Sequence, residues 1–154
     1  MYVIYIQTRL LQLGADPDAR DNNRATPLHL AANGGYVSIV KLLLDHGANP
    51  DAVDEFGNTP LHNTAHNGHQ KVAELLLERG ASATIVDEDG YTASHWAAAN
   101  NHAALSSLLE EHGAVFVASE DAPSARATEG ASKIPRRILA AAVDKLAGAP
   151  KREL

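Results

Sequence analysis

Three histidines, His62, His66 and His69, stand in one eight-residue stretch, the first pair four apart as two ligands on one helix face would be. That spacing could hold a zinc ion, but no carboxylate completes the set. With no cysteine in the chain, thiolate ligands, thiolate nucleophiles and disulfides are excluded. The acidic groups Asp54-Glu55 and Asp87-Glu88-Asp89 could act as general acids or bases only if burial tuned them. They lie among Gly, Asn and Asp residues that predict exposed turns, where they read as solvated charges. Phosphate-cradling loops of the G-x-x-x-x-G-K-[ST] and G-x-G-x-x-G kinds are missing, as are G-x-S-x-G and H-E-x-x-H. The sequence therefore predicts no catalytic residue, no cofactor and no metal site.

His62 has a simpler explanation than chemistry, because it recurs. His29, His62 and His95 are spaced by 33 residues, as are Asp21, Asp54 and Asp87, and the pairs Gly14-Ala15, Gly47-Ala48, Gly80-Ala81 and Gly113-Ala114. Several residue types held in one register at this period mean stacked supersecondary units. Within a unit, Thr26 and Thr59 are good N-caps, and Pro27 and Pro60 follow at the first helical position, where a missing N–H is harmless. A short helix ends at Asn33-Gly34-Gly35 or Asn67-Gly68. A second carries Val37, Val40, Leu43 and Leu44, or Val72, Leu75, Leu76 and Leu77, and stops at Gly47 or Gly80. The following connector, GANPDAVDEFGN, is turn-forming. Two short helices cannot bury their apolar faces alone, so Leu28, Leu61, Leu43 and Leu76 are expected between units. The three imidazoles fall in the first helical turn, within reach of the capping Thr and neighbouring backbone.

Taken together, TPLHLAA, the glycine after it, the Leu-Leu-Leu-x-x-Gly-Ala run and the Asp-x-x-Gly-x-Thr turn resemble ankyrin repeats over residues 4–114. The resemblance implies an all-α solenoid of helix–turn–helix units joined by β-hairpin-like loops. It also implies a surface that binds other proteins without catalysis. The expected organisation is a repeat domain over 1–117, with a partial repeat 1–20 and repeats 21–53, 54–86 and 87–117. A linker over 118–132, an amphipathic helix over 133–148 and a tail over 149–154 follow. Departures are informative. The first unit lacks one helix, leaving Val3, Ile4 and Ile6 to be covered. Arg24 replaces the turn glycine found as Gly57 and Gly90, which predicts a locally different first hairpin. Ala93 and Ser94 replace Pro and Leu in the third unit, which gains Trp96 and drifts toward a capping composition. Asn63 and Thr64 replace an apolar pair, either as polar residues tolerated at a helix edge or as a partner contact.

In such a stack the turn tips and exposed ends of the first helices line one concave face. By register it comprises Arg20, Asn22, Asn23 and Ala25; Val53, Glu55, Phe56 and Asn58; and Val86, Glu88, Asp89 and Tyr91. The helices add Asn33, His66, Asn67, Ala99 and Asn100. Phe56 and Tyr91 are the aromatic anchors, or else pack on adjacent turns. The acidic tips predict a protein partner presenting a basic segment with an apolar residue. The alternative is a structural piece of a longer array or an assembly scaffold.

Composition agrees with this reading. The chain has 154 residues, 45% apolar and 5% aromatic, and a net charge of −6. Residues 1–114 hold 6 Lys/Arg against 14 Asp/Glu, whereas 115–154 hold 7 against 5. An acidic body repels phosphates, so the repeats are not expected to bind nucleic acid. The N-terminal MYVIYIQTRL lacks a signal-peptide pattern, and no stretch reaches the roughly 20 apolar residues of a membrane span. These features predict an intracellular, cytoplasmic monomer. The helix 133–148 carries Ile138, Leu139, Ala142, Val143 and Leu146 on one stripe. It is read as a cap for the stack, a partner-binding peptide or a membrane-surface helix.

Overall fold

The computed structural model describes residues 13–114. The expected partial first repeat, including Val3, Ile4 and Ile6, lies mostly outside them; the expected linker, helix and tail lie wholly outside. Six helices among the described residues form three pairs: α1 (Pro27–Asn33) with α2 (Val37–Asp45), α3 (Pro60–Asn67) with α4 (Gln70–Glu78), and α5 (Ala93–Ala99) with α6 (Ala103–Glu111). Helix α1 packs on α3 and α3 on α5, while α2 packs on α4. This is the all-α repeat architecture that the 33-residue period requires.

Each first helix starts where the sequence places it. Thr26, Thr59 and Thr92 hold extended backbone conformations and take part in a reciprocal capping box with the histidine three residues on. Each second helix is followed by a glycine in the left-handed region: Gly47 at φ 85°, Gly80 at 87° and Gly113 at 93°. The core lies between units. Leu28, Leu61, Leu76 and Leu109 are at most 1% exposed, Leu43 is 4% exposed, and the alanines Ala32, Ala65, Ala73 and Ala97 let the helices approach closely.

The first hairpin departs from expectation. Despite Arg24, it closes like the others: the Asp21 N–H donates to the Ala25 carbonyl at 3.0 Å, matching Asp54 to Asn58 at 3.0 Å and Asp87 to Tyr91 at 2.9 Å. Arg24 itself adopts φ 60°, beside 76° for Gly57 and 82° for Gly90. The hairpin geometry is dictated by the Asp side chain, so the arginine is forced into a region disfavoured for a residue with a Cβ. Arg24→Gly is therefore expected to raise unfolding free energy by about 0.5–1 kcal/mol, after the greater freedom of glycine in the unfolded chain is subtracted. Urea unfolding of the two chains measures this. A variant no more stable than the parent would contradict strain at this site.

Polar substitutions inside the stack are satisfied locally. Thr64 is fully buried, and its hydroxyl donates to the Pro60 carbonyl at 2.9 Å. Asn63 is half-buried, and the bond it receives from the Asn67 side chain, at 3.0 Å, ends on its main-chain carbonyl and not on the substituted side chain. Ser94, also fully buried, donates to the Ala114 carbonyl at 3.3 Å.

Candidate functional site

The histidine column sets the spacing of everything exposed around it. Nδ1 of His29 accepts the Thr26 amide N–H at 3.1 Å and so carries no proton. The proton therefore sits on Nε2, which donates to the Asn58 carbonyl of the next unit at 2.9 Å. His62 repeats the arrangement, with Thr59 at 3.1 Å and the Tyr91 carbonyl at 3.0 Å. His95 accepts from the Thr92 N–H at 3.2 Å; the next carbonyl in the series, at residue 124, lies outside the described residues. His29 and His62 thus each pin the following hairpin to their own helix. Burial strips the imidazolium form of water and lowers the pKa of all three. For His29 and His62, the opposing pull of the accepting carbonyl and of Asp54 or Asp87 is the smaller effect.

A second set of bonds shapes the hairpins. Oδ1 of Asp21 accepts the Asn23 and Ala25 N–H groups, both at 2.9 Å. Asp54 does the same for Phe56 and Asn58, and Asp87 for Asp89 and Tyr91. Asp87 corrects the sequence reading of a solvated turn charge. It is only 4% exposed, and its Oδ2 accepts the Trp96 Nε1–H at 2.9 Å. The third unit's tryptophan and its turn aspartate are one buried pair, which no local pattern announces.

The hairpin tips are joined to each other. The Glu55 N–H donates to the Asn23 carbonyl at 2.9 Å, and the Glu88 N–H to the Phe56 carbonyl at 3.1 Å. On this strip Asn22, Asn23, Glu55, Phe56, Val86 and Glu88 are exposed, with Phe56 at 42% and Val86 at 51%. Asp89 is half-buried. Other predicted contributors are engaged in contacts between or within units. Arg20 Nη1 donates to the Val53 carbonyl at 3.0 Å, and Asn58 donates to Asp54 at 3.3 Å. Tyr91 is half-buried with its ring edge-on to His95 at 5.5 Å.

The first helices complete the surface. Asn33 and Asn67 are exposed and bonded to one another at 2.9 Å. Half-buried His66 lies 5.4 Å from the Trp96 ring, and Asn100 donates to the Trp96 carbonyl at 2.9 Å. Leu30, 61% exposed, was missed by the sequence reading, although it shares a helix face with Asn33 three residues on. Tyr36, 59% exposed, was missed as well because it opens a second helix as an irregular cap.

The three clustered histidines do not converge. His62 bonds Thr59 and Tyr91, His66 faces Trp96, and His69 Nε2 donates to the Asn33 carbonyl at 3.0 Å. Among the described residues no group of three His, Asp or Glu side chains could hold a metal ion, and no helix is long and apolar enough to cross a membrane. What the surface offers is a row of fixed turns, acidic side chains and isolated apolar residues.

Comparison with known proteins agrees with this geometry. A family model described as ankyrin repeats matches residues 5–87 and 47–121 and accounts for three copies. No curated protein matches the chain.

Proposed function

The chain belongs to the ankyrin-repeat family, whose members are generally protein–protein interaction modules without catalysis, and from that premise we propose that it docks a protein partner on its hairpin-tip and first-helix face. The observation that carries this reading is the pair of tip-to-tip backbone bonds, Glu55 to Asn23 and Glu88 to Phe56. They hold the exposed side chains of three units at fixed spacing, so little ordering cost remains to be met on binding. Leu30, Phe56 and Val86 supply apolar contacts beside Glu55 and Glu88. The partner segment is basic and carries at least one apolar side chain, because an acidic rim steers cations and suppresses acidic competitors. Such binding takes place in the cytoplasm, by a monomer.

The test is capture from the native host by the full chain, compared with a Glu55→Lys/Glu88→Lys double variant and with Phe56→Ala. All three changed positions lie on the strip and outside the core, so melting temperature should stay within the range of surface substitutions. Loss of the captured protein with the charge-reversed chain, and roughly tenfold weaker capture with Phe56→Ala, is the expected result. Retention of the same protein by both variants would place the docking face elsewhere.

A further inference from the structure

The Asn33–Asn67 pair presents a fixed donor and a fixed acceptor side by side on the proposed docking face. Its orientation is settled by a carbonyl. Asn67 stands 3.0 Å from the Asn63 carbonyl, which can only accept, so the near atom is Nδ2. The other hydrogen of that same Nδ2 goes to Asn33 at 2.9 Å, so the Asn33 atom is Oδ1. Two free valences follow. Asn33 keeps an Nδ2 with two N–H donors, and Asn67 keeps an Oδ1 acceptor; neither is engaged among the described residues, and both residues are exposed.

The pair is held from behind as well. His69 Nε2 donates to the Asn33 carbonyl at 3.0 Å, and its ring occupies the space beside Gly35 that a Cβ would need. Two exposed amides locked in this way lose little rotamer freedom on binding, unlike solitary surface asparagines. One donor and one acceptor on two directly bonded amides complement the C=O and N–H that a single residue of an extended chain turns to the same side. Leu30, on the same face of α1, stands ready for a neighbouring apolar side chain of that segment.

We propose that Asn33 and Asn67 form a main-chain clamp that holds one residue of an extended partner peptide, its carbonyl accepting from Asn33 Nδ2 and its N–H donating to Asn67 Oδ1. The proposal rests on the docking-face reading above and adds to it the conformation of the partner and the atoms that read it. Recognition at this point is independent of the partner's side chain, so sequence preference resides in the flanking basic and apolar positions.

The probe is a 12-residue random peptide library selected on the full chain, followed by amide-to-ester scanning of a selected peptide. Replacing one amide by an ester removes a single N–H and leaves the protein untouched. One position is expected to lose roughly tenfold in affinity on esterification. That loss should vanish against an Asn33→Ala/Asn67→Ala variant whose melting temperature is checked alongside. Selected peptides with no ester-sensitive position, or with the same sensitivity against the variant, overturn the clamp. Phe56→Ala separates the two readings. If it still weakens those peptides, the docking face survives and only the clamp fails; if it has no effect, the face itself is wrong.

Discussion

Acidification from pH 7.5 to pH 5 is expected to lower the stability of the repeat stack steeply, well before most carboxylates titrate. His29 and His62 are 1% and 3% exposed, and each uses an unprotonated Nδ1 to accept an amide N–H. Protonation there replaces an acceptor with a second donor and buries a charge. Their folded-state pKa values are lowered, chiefly by burial, from an unfolded value near 6.5. Between the depressed folded value and 6.5 the unfolded chain binds more protons than the folded one, so stability falls as pH falls through that window. Above about pH 7 both states are neutral and stability is flat with respect to these groups.

Each histidine contributes a slope of at most about 1.4 kcal/mol per pH unit, so the two buried ones together contribute at most about 2.8. His95 shifts the same way but is only half-buried, which brings solvent screening, so its share is smaller. Thermal unfolding followed by circular dichroism at half-unit pH steps measures the effect. A melting temperature unchanged from pH 7.5 to 5 would show that the imidazoles are not held neutral.

The second large effect is expected from Leu76→Ala, a loss of about 2–5 kcal/mol in unfolding free energy. Leu76 is fully buried on α4, in the middle unit, and the cavity cannot close without shifting a helix that packs against α2 and α3. Against a typical total of about 5–15 kcal/mol that is a severe change. Leu30→Ala is the matched control. It removes the same atoms from a position 61% exposed and is expected to stay within about 0.5 kcal/mol. Urea unfolding of both variants distinguishes burial between units from leucine content; equal losses would contradict the stack.

Much of this architecture was legible before any coordinates. Thr-Pro at 26–27 and 59–60 located the starts of α1 and α3, because capping and proline geometry act within one turn. The leucine positions followed from helical spacing, and Leu28, Leu43, Leu61 and Leu76 are all buried. Arg24 misled, because residue type described its preference while Asp21 and the hairpin closure dictated its conformation. Asp87 misled for a related reason. Its turn looked solvent-exposed until Trp96, nine residues away, was placed over it.

On the surface the division is similar. Sequence register named Asn22, Asn23, Glu55, Phe56 and Glu88, since residues 33 apart must occupy equivalent turns. It could not separate Phe56, left 42% exposed, from Tyr91, half-buried against His95. Nor did it find Leu30, 61% exposed, which was placed neither between units nor on the concave face.

The amino-acid sequence by itself determined the unit, its helices, its period and the need to stack, because caps, turns and apolar spacing are local and repeat identically. Only the tertiary structure decided which equivalent positions stay exposed and which become struts. The reason is physical: burial and hydrogen-bond partnership between units depend on side chains about 30 residues apart, as His29 with Asn58 and Asn33 with Asn67 show.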